Sequence, residues 1–189
     1  MALTHTPAPE CGTPAPHFSL QGTDNKTYTL DDIRGEKGTL VMFICNHCPY
    51  VKTIVSRIVA DMKDLQAAGL GVVAIMPNDT STHPADSFDN MKIFANTHGF
   101  TFPYLIDETQ EVAKAYGAVC TPDFFGYGAD GTLLYRGRLD EVNPSKPATP
   151  DTKHELRDAM LHIAQTGTAP DNQIPSMGCS IKWKPQNAA

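Results

Sequence analysis

The chain has 189 residues, of which 41% are hydrophobic and 19% charged, and its formal net charge is -6. This length and composition predict one globular domain with a sizeable core. The acidic balance and the scattered Lys and Arg argue against nucleic acid or an anionic membrane as a partner. We find no secretory signal and no run of the roughly 18 apolar residues that a transmembrane helix needs. We therefore expect a cytoplasmic protein.

Strand and helix patterns alternate from residue 39 onwards. Apolar runs at 39–45 and 70–77 predict buried strands, and apolar residues within 51–65 recur at helical spacing. A second helix is predicted over 84–99, a strand over 102–107 and a short helix over 109–117. Ala129-Asp130-Gly131 predicts the turn of a hairpin, and Pro150 and Asp151 mark the start of a last helix. This order indicates an α/β fold with a central mixed sheet flanked by helices.

The two ends of the chain have a different composition from the middle. Residues 1–16 are rich in Pro and Thr and predict an irregular lead-in. Residues 17–166 form the α/β domain in this interpretation. Residues 167–189 predict a tail, punctuated by Pro and Gly, that packs back on the domain through Ile181 and Trp183.

Two cysteines stand where the first buried strand meets the long helix, in the order Cys45-Asn46-His47-Cys48-Pro49. Ligands bind beyond the carboxyl ends of parallel strands, and the first turn of a helix lowers the pKa of a thiol there. Pro49 suits a first helical position. We interpret the pair as redox-active, with His47 as a positive charge or hydrogen-bond donor beside the sulfur. Cys45, at the exposed end of the helix, is expected to attack, and Cys48, further into the helix, to resolve.

Two other interpretations of the pair remain open. A structural zinc ion needs four ligands, and the sequence has no second CxxC and no following pair of histidines. Inert packing is the other, because buried cysteines are common as small hydrophobic residues. We expect no metal and no cofactor beyond a reversible Cys45–Cys48 disulfide.

The cysteine pair is part of one of three short motifs that stand out in the sequence: "CNHCPY", "CTPDFF" and "GCSIKW". With the entry segment that begins "CGTPAPHF", they resemble the thioredoxin superfamily, and within it the redoxin branch that includes peroxiredoxins. The resemblance covers roughly residues 11–165. It implies a thioredoxin-like fold over 17–166 with a peroxiredoxin-like N-terminal extension. More narrowly, the chain is similar to an uncharacterised peroxiredoxin-like group.

The resemblance also implies roles for individual residues. Pro122 matches the cis-proline that faces the CxxC pair in the superfamily. Thr121, directly before it, is then expected to offer its backbone to a substrate chain by strand addition. Cys45 takes the place of the nucleophile and Cys48 that of the resolving cysteine. The implied activity is thiol-disulfide exchange.

Several positions depart from the family pattern. Ile44 stands where thioredoxins have Trp, and Thr39 stands where they have a buried carboxylate that accepts a proton. His47 between the cysteines resembles the disulfide isomerases and oxidases, which have acidic nucleophiles. We therefore predict a couple less reducing than that of thioredoxin.

A thiol peroxidase is the first alternative function. Peroxiredoxins place Thr or Ser three residues before the reactive cysteine, whereas this chain has Met42 before Cys45, and Cys45 before Cys48. That difference disfavours peroxidase activity. A non-catalytic module with a structural zinc is the second alternative.

The remaining cysteines allow further redox roles. Cys120 precedes the expected cis-proline by two residues, and Cys179 lies in the tail, so both are candidate additional redox residues. Cys11 has no predicted role. The expected partners are a protein or small-molecule disulfide or dithiol and an unidentified electron donor, and a homodimer is expected from redoxin relatives.

Overall fold

The computed structural model describes residues 3–188. In this range the strands are β1 Leu3–His5, β2 Ser19–Gly22, β3 Thr27–Thr29, β4 Thr39–Phe43, β5 Gly71–Met76, β6 Tyr104–Ile106, β7 Cys120–Thr121, β8 Asp123–Tyr127, β9 Leu133–Gly137 and β10 Met177–Ser180. The helices are α1 Leu30–Ile33, α2 Pro49–Ala67, α3 Phe88–His98, α4 Glu111–Ala115 and α5 Glu155–Thr166. No helix in this range is long and apolar enough to cross a membrane.

A seven-stranded sheet forms the centre, in the order β3-β2-β6-β5-β4-β8-β9. Strands β4, β5 and β6 are parallel, and their neighbours pair antiparallel, so the sheet is mixed as predicted. Alternate side chains of β4 enter different cores: Leu40 and Met42 pack on one face, Val41 and Phe43 on the other. Burial on both faces explains why β4 reads as a continuous apolar run.

Two predicted helices begin later than their sequence patterns suggested. The segment 84–99 is a 3-10 turn at Pro84–Asp86 followed by α3, because Ser87 is extended and caps the helix through its hydroxyl. That break turns the side chain of Asp86 into the protein interior. Helix α5 begins at Glu155 rather than near Pro150, because the Thr152 hydroxyl accepts the Thr149 N–H at 2.8 Å and holds these residues in a turn.

A second, three-stranded sheet has the order β1-β10-β7 and joins both ends of the chain to the middle. Thr6 N donates to Ser176 O at 3.0 Å, and Ser176 N donates to the Thr6 hydroxyl at 2.9 Å. The expected irregular lead-in thus contains the strand β1. Local sequence gives no sign of β1 because its partner lies at the other end of the chain. In the tail, Ile181 is buried and Trp183 packs against the core.

Candidate active site

The two central cysteines hold different positions relative to α2 than the sequence suggested. Helix α2 begins at Pro49, so Cys48 is its N-cap residue and Cys45 precedes the helix. Proline disfavours a helical conformation in the residue before it, and Cys48 is accordingly extended, with φ -64° and ψ 123°. The prediction that Cys45 begins the helix and Cys48 lies inside it is therefore wrong.

Both sulfurs are also inaccessible in the structure. Cys45 and Cys48 are each 0% exposed, which contradicts the expectation that Cys45 lies at an exposed helix end. The cover comes from the segment around the cis-proline and from the tail. A groove of about 200 Å³ lies beside Pro122, between Tyr50 and Met177, but neither cysteine lines it.

The Thr121–Pro122 peptide bond is cis, as the resemblance implied, and its segment faces both cysteines. The Thr121 hydroxyl lies 3.2 Å from Cys45 Sγ. The Thr121 carbonyl oxygen lies 3.1 Å from Cys48 Sγ and accepts a hydrogen bond from Cys48 when this residue is a thiol. β7 and the start of α2 therefore form a single site.

Hydrogen bonding separates the pKa values of the two thiols. The Cys45 thiol donates to the Cys48 sulfur, and this lowers the pKa of Cys48 although burial opposes the shift. The Val51 N–H, in the first turn of α2, lowers the pKa of Cys48 further. The same thiol-to-sulfur bond raises the pKa of Cys45 well above its usual value, helped by burial and by the charge of Asp86. In the reduced pair, Cys48 thus favours the thiolate and Cys45 the thiol.

A buried carboxylate that the sequence analysis missed lies beside the pair. Asp86 is 0% exposed, and its Oδ1 accepts the backbone N–H groups of Asn46 at 2.8 Å and His47 at 3.2 Å. Its Oδ2 lies 2.6 Å from His47 Nδ1 and accepts from Asn78 Nδ2 at 2.8 Å. Asp86 therefore fixes both the loop between the cysteines and the imidazole ring. Its only sequence signal was a place near the start of a helix, where carboxylates commonly cap.

His47 links this carboxylate to the thiols. A ring nitrogen of His47, an Asp86 oxygen and Cys45 Sγ all lie within 4.8 Å of one another. Within the described residues, Nε2 of His47 is buried and has no hydrogen-bond partner. The ring also stacks on His83, with centroids 5.1 Å apart. A carboxylate that orients one ring nitrogen and leaves the other free is the arrangement of a general base.

The same three side chains are the candidate metal ligands of the described chain. A carboxylate offers about four lone-pair positions, and Asp86 already has four hydrogen-bonding neighbours. The donor set of one Cys, one His and one Asp also differs from the four Cys or His ligands of a structural zinc. The hydrogen-bonded arrangement of Asp86 thus does not fit a structural zinc ion.

The structure places the other three cysteines in different surroundings. Cys179 is buried in the same apolar core as Cys48, and it pairs with Thr121, whose carbonyl oxygen lies 3.1 Å from Cys48 Sγ. Cys120 is buried, which raises the pKa of its thiol, and it lies 3.5 Å from Pro122 O. Cys11 is exposed and far from the pair in the fold, on the segment that leads into the central sheet.

The backbone edge expected to bind substrate is occupied by the chain itself. Strand β10 pairs antiparallel with β7, and Cys179 lies opposite Thr121. The prediction that Thr121 presents a free edge for strand addition is therefore wrong for this conformation, because the tail fills that edge. The sequence placed Thr121 and Cys179 in separate segments and gave no sign of their pairing.

Comparison with known proteins places the fold and the family. The AhpC/TSA family matches residues 11–136. A Mycobacterium tuberculosis protein named "Putative peroxiredoxin Rv2521" is 27% identical over 139 residues, or 74% of this chain and 83% of that protein. The thiol-disulfide oxidoreductase ResA of Bacillus subtilis is 25% identical over 123 residues, or 65% of this chain and 64% of ResA.

Solved structures agree with this placement. An uncharacterised conserved protein from Geobacillus kaustophilus is 43% identical, with a TM-score of 0.92 and 98% coverage of both chains. The thioredoxin domain of a thiol-disulfide oxidoreductase from Bacteroides vulgatus has a TM-score of 0.58 at 15% identity, covering 74% of this chain and 93% of that domain. The second likeness shows a thioredoxin-like fold. The chain therefore belongs to the AhpC/TSA family of the thioredoxin superfamily.

Proposed function

We propose that this protein is a thiol-disulfide oxidoreductase whose redox pair is Cys45 and Cys48. One observation carries the proposal: both sulfurs contact Thr121 of the cis-proline segment at the N-terminal end of α2, with Cys45 Sγ 3.2 Å from its hydroxyl and Cys48 Sγ 3.1 Å from its carbonyl oxygen. Two thiols held against one residue can close a disulfide, and a helix N-terminus stabilises the thiolate that begins the exchange.

In the proposed reaction, Cys48 attacks and Cys45 resolves, which reverses the roles that the resemblance implied. Cys48 is the N-cap residue of α2, where unpaired N–H groups favour an anion, and its pKa is lowered, so we assign the attacking thiolate to Cys48. Its sulfur attacks one sulfur of the substrate disulfide, a mixed disulfide forms, and the other substrate sulfur leaves as a thiolate. Because the sulfur is buried, this step requires the tail to move away from Thr121.

Resolution requires Cys45 to lose its proton. His47, oriented by Asp86, accepts that proton through its free nitrogen. The Cys45 thiolate then attacks Cys48 Sγ, the Cys45–Cys48 disulfide forms, and the second substrate thiolate leaves. In this scheme the pair His47 and Asp86 performs the task of the carboxylate that Thr39 cannot supply.

The test uses a chromogenic aromatic disulfide as substrate and dithiothreitol as electron donor. Cys48→Ser should lose turnover because no thiolate attacks. Without dithiothreitol, Cys45→Ser/Cys179→Ser, which lacks both of the other thiols near Cys48, should react once and remain as a mixed disulfide, visible by mass spectrometry of the intact protein. Cys120→Ser, which removes a buried thiol on the adjacent strand, is the matched control and should turn over normally. Full activity of Cys48→Ser would refute the proposed nucleophile, and full activity of both Cys45→Ser and Cys48→Ser would refute the function.

The proposed partners are a disulfide or dithiol substrate and a separate electron donor in the cytoplasm. A lowered nucleophile pKa stabilises the reduced state and so makes a couple more oxidising. We expect the potential of the Cys45–Cys48 couple to lie above the roughly -270 mV of thioredoxin. Equilibration with glutathione, followed by mass spectrometry, measures it, and a value at or below that of thioredoxin contradicts the expectation.

Thiol peroxidase activity is the second candidate, favoured by one contact. The hydroxyl that sequence analysis found missing before the cysteines is supplied by Thr121, whose Oγ1 lies 3.2 Å from Cys45 Sγ. A peroxide that entered there would meet a hydroxyl donor and the Cys48 thiolate. The rate of thiol loss with hydrogen peroxide, compared with the rate with the aromatic disulfide, distinguishes the two activities.

A further inference from the structure

Three cysteines from distant parts of the sequence meet in one cluster. Cys45, Cys48 and Cys179 pack in the same apolar core. All three meet at Thr121. Its hydroxyl lies 3.2 Å from Cys45 Sγ, its carbonyl oxygen lies 3.1 Å from Cys48 Sγ, and Cys179 is its partner in the strand ladder. Cys48 therefore has two thiol neighbours with which it can form a disulfide.

The third thiol is held in place by strand pairing. Ile181 N donates to Val119 O at 3.2 Å, and the same register puts Cys179 opposite Thr121. Gly178 makes the close approach possible, because a Cβ atom there would lie 2.1 Å from the Thr121 carbonyl oxygen. Strand β10 thus occupies the edge where an extended substrate would pair, with a cysteine beside the reactive sulfur.

We propose that Cys179 is a third redox-active thiol, which takes over the disulfide from Cys45 by exchange at Cys48. The inference rests on the proposed function of the Cys45–Cys48 pair. The Cys179 thiolate attacks Cys48 Sγ, the Cys48–Cys179 bond forms, and the Cys45–Cys48 bond breaks. Cys45 leaves as a thiolate and takes up the proton that Cys179 gave up. No electrons are gained or lost in this step.

The exchange moves the disulfide towards the surface. Cys179 is 4% exposed, whereas Cys45 and Cys48 are 0% exposed. An electron donor therefore reaches the disulfide more readily at Cys179 than at the buried pair. The new bond also ties β10 to α2, so that the tail stays closed over the site until a reductant releases it.

Cys120, next to Thr121 on β7, is a buried thiol with which Cys179 can be compared. It lies opposite Ser180 in the same ladder, and adjacent residues of a strand point to opposite faces. Its sulfur faces Pro122 O at 3.5 Å. Cys120 is thus a buried thiol close in sequence to the site, and it is not expected to exchange with Cys48.

The test oxidises Cys45→Ser with glutathione disulfide. The Cys48 thiolate attacks it and releases one glutathione, and Cys179 then displaces the second glutathione, so that two protein thiols are oxidised and one glutathione disulfide is reduced. We expect a peptide pair linked through Cys48 and Cys179 in a non-reducing digest. A lasting glutathione adduct on Cys48, or free Cys48 and Cys179, under conditions that oxidise the wild type would overturn the proposal.

Double variants assign the bond. Cys45→Ser/Cys120→Ser should form the same linked peptides, whereas Cys45→Ser/Cys179→Ser should stop at the glutathione adduct. Gly178→Ala should lower the yield of the Cys48–Cys179 link in the Cys45→Ser background by displacing β10. The Cys45–Cys48 disulfide of the wild type is measured in parallel. A Cys45–Cys48 bond in the wild type, with no Cys48–Cys179 link in either protein, would refute the role of Cys179 alone. Absence of both bonds from the oxidised wild type would refute the proposed function.

Discussion

Two fully buried carboxylates lie near the cis-proline segment, and they differ in the charge that faces them. Asp123, at the start of β8, accepts hydrogen bonds from Arg136, from Nη2 at 2.9 Å and from Nε at 3.3 Å. Asp86 instead accepts hydrogen bonds from two backbone N–H groups and from the Asn78 amide, and it contacts the His47 ring. Of the two, Asp86 is the one whose partner, His47, lies near a cysteine of the proposed redox pair.

This difference separates a structural ion pair from a site of proton transfer. The guanidinium of Arg136 cannot lose a proton in a protein, so its pair with Asp123 holds fixed charges. Imidazole, unlike guanidinium, can serve as a proton acceptor at one ring nitrogen while the other is hydrogen-bonded, so the pair of Asp86 with His47 can move a proton. We therefore expect loss of the first pair to affect stability and loss of the second to affect the reaction.

The largest expected effect is on stability, from Arg136→Met. The change leaves Asp123 buried without its partner, which costs about 3–5 kcal/mol of unfolding free energy. Burial already raises the pKa of Asp123, and without Arg136 this pKa rises further. A raised pKa in the folded state means that stability is lost as the pH rises through it, so the deficit should shrink in acid. Urea denaturation at several pH values measures this.

Asp123→Asn/Arg136→Met is the control for that experiment. It removes both charges and should recover part of the lost stability at neutral pH. If Arg136→Met unfolds at the same urea concentration as the wild type, the ion pair is not structural and the comparison fails.

Asp86→Asn should affect the reaction more than the fold. An amide in place of the carboxylate can donate to His47 Nδ1, which forces the ring proton onto Nε2 and leaves no acceptor for the Cys45 proton. We expect resolution of the mixed disulfide to slow about 100-fold, the lower range for general base catalysis. Rapid-quench mass spectrometry measures the lifetime of the mixed disulfide.

The pH profile distinguishes this role from a merely structural one. In the wild type, the rate of resolution should change with pH through the base that accepts the Cys45 proton, and this dependence should be altered in both Asp86→Asn and His47→Gln. An unchanged resolution rate and profile in both variants would show that the proton leaves Cys45 by another route.

A smaller effect is expected on the thiolate itself. Cys45→Ala removes the donor that lowers the pKa of Cys48, whereas Cys45→Ser keeps a hydroxyl at that place. A hydrogen bond to a charged group contributes about 1.5–3 kcal/mol, so the Cys48 pKa should be roughly one to two units higher in Cys45→Ala. Thiolate absorbance against pH measures the Cys48 pKa in both variants, with Cys48→Ser as the blank. Equal pKa values in the two variants would show that a hydrogen bond from residue 45 does not lower the pKa of Cys48.

Thr121→Val is expected to have the smallest effect on the rate of disulfide reduction. Only the hydroxyl near Cys45 is lost, since the backbone carbonyl that faces Cys48 remains. Disulfide reduction should change less than about tenfold, because one neutral hydrogen bond contributes about 1 kcal/mol. A larger loss with hydrogen peroxide than with the aromatic disulfide would favour the peroxidase.

The central sheet could be predicted because its signals are local. The apolar run of β4, the helical spacing of α2 and the turn at Asp130 each lie within a few residues. The position of the redox pair between strand and helix followed from them. Its fine geometry depended on Pro49, which restricts the residue before it and makes Cys48 the cap.

The parts of the site that sequence reasoning missed depend on distant contacts. Asp86 meets Asn46 across 40 positions, and Thr6 meets Ser176 across 170. No local pattern encodes such pairings, since a buried carboxylate and a short edge strand both resemble ordinary turn segments. Thr39 stands at the position where thioredoxins have a buried carboxylate. In this fold the buried carboxylate beside the cysteines is Asp86, from the 3-10 turn before α3.

The pairing of β1 with β10 determines when the dithiol becomes covered. Residues 177–180 leave the ribosome after all other parts of the site, so a nascent chain can form β4 and α2 while β7 still lacks its partner. During that interval Cys48 faces solvent, and oxidants or folding helpers can reach it. Pairing of residues 177–180 with β7 then closes the site, so the redox state of a newly made molecule is set partly before β10 is in place.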